Sequence, residues 1–161
     1  MRHPITLRVN GEPWPIEVEP GELLLEVLRE RLGITSPKPG CGRGDCGSCT
    51  VLLDGRSVRS CLVLAVEVDG RELLTVEGLG LEGLTTLQQR MLALSAVQCG
   101  YCTPGVVLTA TELLADNPRP QRHEVAKALS GNLCRCTGYA SIIDAVLAAA
   151  AAAAAPSAEE G

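Results

Sequence analysis

The chain has 161 residues with a formal net charge of −5, and its aromatic side chains are limited to Trp14, Tyr101 and Tyr139. This composition excludes a surface for nucleic acid, which needs clustered basic residues and aromatic faces for stacking. At this length we expect one large domain or two small ones, and two small aliphatic domains usually need a disulfide or a metal site to stabilise them.

The first half of the chain is predicted to form short strands around one helix. Residues 5–9 alternate between apolar and polar side chains, Asn10-Gly11 is a strong hairpin turn, and residues 16–18 form the return strand. A helix is predicted over 22–32, with Gly33 as its C-terminal stop. The remaining strands are predicted at 50–53, through residue 58, and at 72–76, after turns at 54–55 and 69–70. We therefore expect a small mixed sheet crossed by one helix.

Beyond residue 77 the pattern becomes helical. A glycine-rich linker is predicted over 78–84. The first helix follows it, capped by Thr85 or Thr86 and reaching about residue 94. The second helix has Thr103 as its N-cap and Pro104 in the first helical position, and it ends near residue 116.

Two more helices complete the predicted bundle. One covers 124–129, and the last, capped by Ser141, extends into an alanine run at 148–155 because alanine is the best helix former. This run is too short to cross a membrane, since a span needs ~20 mainly apolar residues. We predict a first domain over 1–77, a helical domain over 85–155 and a disordered tail over 156–161.

Eight cysteines form two groups of four, and the first group has a familiar spacing. Cys41-x4-Cys46-x2-Cys49, with Cys61 further along, is the plant-type pattern for a two-iron two-sulfur (2Fe–2S) cluster. Interleaved glycines allow a loop to wrap tightly around an anionic cluster and to aim backbone N–H groups at it; they are Gly40, Gly42, Gly44 and Gly47. Zinc is the alternative because Cys46-x2-Cys49 is a knuckle spacing, although zinc sites usually pair two knuckles.

The second group consists of Cys99-x2-Cys102 and Cys134-x-Cys136. Cys102 lies at the predicted start of a helix, where free N–H groups and the dipole favour an anion. Cys134 and Cys136 are two residues apart, so in an extended loop both sulfurs point the same way. This gap is tighter than zinc ligands usually show. We interpret the group as a second cluster site, with two unrelated thiol pairs as the alternative.

The compartment bears on a disulfide alternative. Residues 1–7 run straight into a strand pattern and contain no secretory signal, so we predict a cytoplasmic protein in which structural disulfides are rare. Export together with a signal-bearing partner stays open. His3 and His123 lie away from both cysteine groups, so histidine-ligated clusters are not expected.

Three long segments carry a resemblance to a known family. Residues 40–51, 98–105 and 130–139 together resemble the small iron–sulfur subunit of the molybdenum hydroxylases. This is the xanthine oxidase family, which includes carbon monoxide, aldehyde and nicotinate dehydrogenases. The resemblance covers about residues 5–146. Tyr101 departs from it, since phenylalanine is common there.

The resemblance implies an α+β fold, with an N-terminal plant-ferredoxin-like β-grasp domain followed by a C-terminal four-helix bundle. It implies that the cluster of the helical domain lies nearest to a molybdopterin on a separate large subunit. Gln98 matches the position whose side chain hydrogen-bonds the pterin, and Cys136 matches a contact to the pterin's amino group.

The resemblance also implies a function. The cluster on the first cysteine group would pass electrons outward, to FAD on a third subunit or to an external acceptor, during hydroxylation of a small organic substrate. The assembly is expected to be a dimer of heterotrimers. The chain would therefore be an electron-transfer subunit without substrate chemistry of its own. The alternatives are a free-standing two-cluster ferredoxin-type carrier and a zinc-stabilised interaction module.

Overall fold

The computed structural model describes residues 1–154, which form an α+β fold of one mixed sheet and several helices. The tail predicted over 156–161, and residue 155 at the end of the predicted helical domain, lie outside the described residues. Among residues 1–154 no helix is both long and apolar enough to cross a bilayer.

Five strands form the sheet in the order β2-β1-β5-β3-β4, and only the β1–β5 pair is parallel. The strands are β1 His3–Val9, β2 Glu12–Val18, β3 Thr50–Leu53, β4 Arg56–Arg59 and β5 Glu72–Leu74. The predicted hairpin turn is confirmed, since Asn10 and Gly11 have φ values of 54° and 84°. Such positive φ values match the twist of a two-residue hairpin.

The predicted helix of the first half begins later than expected. Helix α1 covers Leu24–Glu26 and continues as a π-helical turn over Val27–Arg31. Gly33, with φ of 69°, follows as the predicted stop. The apolar face of this helix is buried with the inner side chains of the sheet in one core.

The second half contains α2 Val76–Leu79, α3 Thr86–Ala93, α4 Thr103–Asp116, α5 Arg122–Ala128 and α6 Ala140–Ala154. The strand predicted to reach residue 76 ends at Leu74, because Val76 already begins helix α2. The predicted linker at 78–84 therefore starts inside a helical turn.

Two predicted helix caps are wrong by one or more residues. Cys102, not Thr103, is the N-cap of α4, because Thr103 is already the first residue of the helix. Helix α6 begins at Ala140, so Ser141 lies inside the first turn. The chain reverses just before it at Tyr139, whose φ is 68°. The cap of α3 is Thr85: its hydroxyl accepts a hydrogen bond from the N–H of Gln88.

Helix α4 packs against both halves of the molecule. Its first turns are buried, and its side chains contribute to the core formed by the other helices. Further along, Glu112 accepts a hydrogen bond from the backbone N–H of Ser57 on β4, and Arg56 pairs with Asp116. At the other end of the helix, Gly105 lies against Gly47 in the loop that precedes β3.

Two candidate iron–sulfur sites

All eight cysteines are free thiols in this structure, and no disulfide bond joins any two of them. Cys41, Cys46 and Cys49 lie in the loop before β3, and Cys61 lies in a 3-10 turn directly after β4. Cys99 and Cys102 precede α4, while Cys134 and Cys136 lie in the loop between a 3-10 turn, Leu129–Gly131, and α6. Each predicted group of four is thus assembled from two segments of the fold.

In the first group the thiols approach one another two by two. The side chain of Cys46 is among the groups that lower the pKa of Cys41, and that of Cys49 is among those that raise the pKa of Cys61, so the two thiols of each pair lie close together. The charge of Cys41 also contributes to raising the pKa of Cys61, so the two pairs lie near each other.

Backbone donors and burial act on these thiols in opposite directions. The N–H groups of Arg43 and Cys46 donate to Sγ of Cys41 over 3.5 and 3.4 Å and lower the pKa of Cys41 to about 6. Burial raises the pKa of Cys61 to about 11. The loop therefore stabilises a thiolate at Cys41, which is partly exposed, as a loop that binds an anionic cluster must.

The loop also wraps closely around its sulfurs. A Cβ atom on Gly40 would lie 2.6 Å from Sγ of Cys46, so a side chain at residue 40 has no room. At the loop tip, Arg43 pairs with Asp45 over 2.8 Å, and both are exposed. The positive charge of Arg43 is therefore balanced by the carboxylate of Asp45.

The second group shows the same pairwise arrangement. Sγ of Cys136 lies 3.5 Å from Sγ of Cys99, and the side chain of Cys134 contributes to raising the pKa of Cys102, so these two thiols also lie close together. Burial raises the pKa of Cys102 to about 12. Burial would also raise the pKa of Cys134, but hydrogen bonds from the hydroxyl and N–H of Thr137 outweigh it and lower that pKa.

Across residues 1–154, no group of three or more His, Cys, Asp or Glu side chains is arranged to hold one metal ion. The thiols instead come as four pairs, and each pair lies within one of the two predicted groups. His3 and His123 are exposed and lie on β1 and α5, apart from the cysteine loops.

The two groups differ in their access to solvent. Cys49 and Cys61 are buried with Leu25, whereas Cys99 and Cys136 are exposed. Gln98, the predicted pterin contact, is exposed next to Cys99. The second group therefore opens directly onto the molecular surface.

The cysteine loop before β3 and the cysteine loop before α6 contact each other through two hydrogen bonds to backbone carbonyl groups. The N–H of Leu133 donates to the carbonyl oxygen of Cys46 over 2.8 Å, and Nδ2 of Asn132 donates to that of Gly47 over 3.2 Å. Asn132 is buried, and its Oδ1 has no hydrogen-bond partner within the described part of the chain.

Glycines make this approach possible. A Cβ atom on Gly47 would lie 2.2 Å from the carbonyl oxygen of Gly131, and one on Gly105 would lie 2.3 Å from that of Gly47. This contact between the two loops and α4 was not predicted from the sequence, although a glycine in the first turn of a helix is a signal for close backbone packing.

The comparisons with known proteins match both halves of the chain. Residues 7–77 match a family described as "2Fe-2S iron-sulfur cluster binding domain", and residues 75–147 match one described as "[2Fe-2S] binding domain". The nicotinate dehydrogenase small FeS subunit of Eubacterium barkeri is 50% identical over 143 residues, which are 88% of this chain and 91% of that protein. The xanthine dehydrogenase iron-sulfur-binding subunit of Escherichia coli O157:H7 is 46% identical, over 89% of this chain and 91% of that protein.

A solved structure agrees with these relatives. In the crystal structure of quinoline 2-oxidoreductase from Pseudomonas putida 86, one chain superimposes with a TM-score of 0.90 at 50% identity and covers 94% of this chain and 96% of that one. Sequence and structure agree over nearly the full length of both chains. The chain therefore belongs to the family of small iron–sulfur subunits of the molybdenum hydroxylases.

Proposed function

We propose that this chain carries two 2Fe–2S clusters and conducts electrons between a molybdopterin site on a large partner subunit and FAD or an external acceptor. The observation that carries the proposal is the meeting of two four-thiol groups on loops that are hydrogen-bonded to each other. Each 2Fe–2S cluster accepts one electron at a time. The chain has an enzymatic role only as a subunit of an oxidoreductase, and substrate is converted elsewhere.

The cluster ligands follow from the four thiol pairs. Cys41 with Cys46, and Cys49 with Cys61, would each hold one iron of the first cluster. Cys99 with Cys136, and Cys102 with Cys134, would each hold one iron of the second cluster. Two thiolates per iron are what a four-cysteine 2Fe–2S cluster needs, whereas structural zinc places four ligands around one ion.

The domain organisation forms part of the proposal. We assign residues 1–77 to a ferredoxin-like β-grasp domain, 78–84 to the linker and 85–155 to a helical bundle domain. The mixed sheet crossed by one helix supports the first assignment. The shared core of helices α3, α4, α5 and α6 supports the second.

The second cluster is proposed to face the molybdopterin-binding subunit. Gln98 would hydrogen-bond the pterin, and Cys136 would approach its amino group. Both residues are exposed beside Cys99, so a partner can reach them without any rearrangement. An apolar groove of about 300 Å³ next to this segment offers a place for the partner's side chains; it is lined by Val76, Leu84, Met91, Leu92, Pro104 and Val107, among others.

The first cluster is proposed to hand electrons outward. Arg43 and Asp45 at its loop tip are exposed, and so is Leu62, which covers the partly buried Gly44. These residues form the surface that a flavin-binding subunit would cover.

We propose a dimer of heterotrimers in the cytoplasm, acting on a small organic substrate chosen by the large subunit. The relatives are named for nicotinate, xanthine and quinoline.

A free-standing two-cluster carrier is the second candidate, and it is less favoured. It would leave the thiol ligands Cys99 and Cys136, and the apolar groove beside them, permanently in contact with solvent. The relatives are also subunits of larger enzymes by name.

Elemental analysis of the native complex, isolated through a tag on this chain, tests the proposal. We expect about four iron per chain, and molybdenum near one quarter of the iron. Four iron without molybdenum would retain the clusters and favour the free-standing carrier. Zinc in place of iron would overturn the proposal.

The pterin contact has its own test. Gln98→Ala should weaken the magnetic coupling between molybdenum and the nearer cluster, measured by EPR on the reduced complex. Gln89→Ala, on helix α3, is the matched control and should leave this coupling unchanged. Unchanged coupling in Gln98→Ala would show that the assignment of Gln98 is wrong.

A further inference from the structure

We propose that Arg59 is a positioning residue that bridges the two cluster loops and holds a positive charge between the clusters. This inference rests on the proposed function, because it concerns how the clusters are held and tuned. Arg59 is the last residue of β4 and lies two residues before Cys61. Nothing in its local sequence marks it for such a role.

The guanidinium donates one hydrogen bond to each loop. Nη1 donates to Oγ1 of Thr50 over 2.8 Å, and Nη2 donates to the carbonyl oxygen of Gly131 over 2.9 Å. Thr50 directly follows the ligand Cys49, while Gly131 opens the loop that carries Cys134. Arg59 therefore joins the two sites through one rigid, planar group.

The bridge continues into the junction between the loops. Thr50 is fully buried, and its hydroxyl donates to the carbonyl oxygen of Gly47 over 2.6 Å. That same carbonyl oxygen accepts the hydrogen bond from Asn132. A Cβ atom on Gly131 would lie only 2.7 Å from Nη2 of Arg59, so the close approach depends on glycine. Arg59, Thr50 and Asn132 thus form one polar network around the contact.

The guanidinium of Arg59 makes no ion pair with a carboxylate in the part of the chain that the structure describes. Within residues 1–154, no carboxylate oxygen lies within 4.0 Å of its guanidinium. Arg56, three residues earlier on the same strand, instead pairs with Glu112 and Asp116. Arg59 is partly buried, so water and salt screen its charge less than that of an exposed side chain.

Two anionic clusters, held by the two cysteine groups, would supply the missing negative charge. A 2Fe–2S cluster with four thiolates carries two negative charges when oxidised and three when reduced, so a nearby cation favours the reduced form. The charge of Arg59 should therefore raise the reduction potentials of both clusters. Its two-pronged shape should keep the clusters at a constant separation, which controls their magnetic interaction.

The experiment separates charge from shape in the native complex. Arg59→Met removes both, Arg59→Lys keeps the charge but loses the fork, and Arg56→Met is the matched control on the same strand. Reduction potentials of both clusters and the splitting caused by their magnetic interaction are measured by EPR during a redox titration. Iron per chain is measured on each sample, so that every comparison is made between fully loaded proteins.

We expect Arg59→Met to move both potentials to more negative values and to change the magnetic splitting. Arg59→Lys should keep potentials close to those of the original protein while the splitting changes, and Arg56→Met should alter neither. Unchanged potentials and unchanged splitting in Arg59→Met would overturn the inference. If Arg59→Met fails to load iron, Arg59→Lys decides: unchanged splitting in that variant overturns the bridging role.

The failure of this inference is distinguishable from failure of the proposed function. An unsubstituted complex without two cluster signals would contradict the proposed function itself. Two normal cluster signals that are insensitive to Arg59 would contradict only the inference.

Thr50→Val removes one acceptor of the bridge and leaves the charge in place, so it should reproduce the effect of Arg59→Lys.

Discussion

The backbone N–H of Leu133 donates to the carbonyl oxygen of Cys46 over 2.8 Å, and each residue lies at or next to a thiol of a different site. Cys46 belongs to the first cysteine group, and Leu133 directly precedes Cys134 of the second. Because both partners are main-chain atoms, substitutions other than Leu133→Pro leave the donor and the acceptor of this bond in place. It gives the proposed clusters a fixed relation that depends mainly on how closely the two loops can approach.

Gly105→Ala tests that close approach. Alanine in a helix is normally more stable than glycine by about 1 kcal/mol. Here its Cβ atom would lie 2.3 Å from the carbonyl oxygen of Gly47, so we expect the substitution to destabilise the protein instead. The midpoint of thermal unfolding, followed by circular dichroism, should fall.

Gly80→Ala is the control for Gly105→Ala. At Gly80 the nearest neighbour of an added Cβ atom is 3.8 Å away, so the added methyl group meets no clash. The midpoint should stay the same or rise. A rise at Gly105 as well would show that the loops are not held in the described contact.

Substituting one thiol of each group should remove the clusters selectively. Cys61→Ser should leave about two iron per chain and only the signal of the second cluster, because each 2Fe–2S cluster needs its own four ligands. Cys99→Ser should leave about two iron and only the signal of the first cluster. Iron analysis and EPR of the reduced protein measure both outcomes. Loss of the same signal in both variants would contradict the assignment of the ligands.

The cap of helix α3 offers a quantitative comparison between adjacent threonines. Thr85→Ala removes the acceptor for the N–H of Gln88 and should cost about 1 kcal/mol in the free energy of unfolding. Thr86→Ala, inside the first turn and exposed, should change that free energy by less than about 0.5 kcal/mol. Denaturant unfolding measures both values, and equal losses would contradict the assignment of Thr85 as the cap.

The carboxylate of Glu77 predicts a dependence of stability on pH. Burial would raise the pKa of Glu77, but hydrogen bonds from Ser36 and Thr75 outweigh it and lower that pKa. A lowered folded-state pKa stabilises the protein fully above the unfolded value of about 4.3 and loses this effect as the pH falls through the folded value.

Glu77→Gln should therefore be less stable than the unsubstituted protein at pH 7, and this difference should shrink as the pH falls from about 4.3 towards the lowered pKa of the folded state. Denaturant unfolding across that range measures it, with visible absorbance confirming that the iron is retained. Glu67→Gln serves as the control because the carboxylate of Glu67 is exposed where it accepts a hydrogen bond from the N–H of Leu64. A difference that grows towards acid would contradict the expected sign.

Tyr101 and Tyr139, which lie near the second cysteine group in the sequence, should respond differently to loss of their hydroxyl groups. The hydroxyl of exposed Tyr101 donates to the carbonyl oxygen of Pro39 over 2.9 Å, so Tyr101→Phe should cost at most about 1 kcal/mol. The hydroxyl of Tyr139 accepts from the N–H of Cys134 and donates to the carbonyl oxygen of Asn132. Tyr139→Phe leaves that partly buried N–H without its partner and should cost more, about 1–3 kcal/mol. Denaturant unfolding ranks the two variants, and a larger loss in Tyr101→Phe would contradict this reading.

Local features of the chain could be predicted from its sequence because their causes are local. The Asn10-Gly11 turn, the stop at Gly33 and the cap at Thr85 each depend on residues within one turn. The division of the cysteines into two groups agrees with the thiol pairs, since spacing limits which sulfurs can share a loop.

Features that depend on distant segments could not be predicted in this way. The contact between Gly47 and Gly105 exists only because α4 docks against the first cysteine loop. The departure at Tyr101, conservative by shape, proved to add a hydrogen bond to Pro39 that phenylalanine lacks. Arg59 has no distinguishing sequence context, and only the docked loops give its guanidinium two acceptors.

The contact between Asn132 and Gly47 spans 85 residues of sequence, and this separation imposes an order on assembly. During synthesis the first cysteine loop emerges well before the segment that binds to it, and N-terminal domains generally fold first. We therefore expect the carbonyl groups of Cys46 and Gly47 to be in place before Asn132 and Leu133 are synthesised. On this order, the second half of the chain docks onto a first half that has already folded.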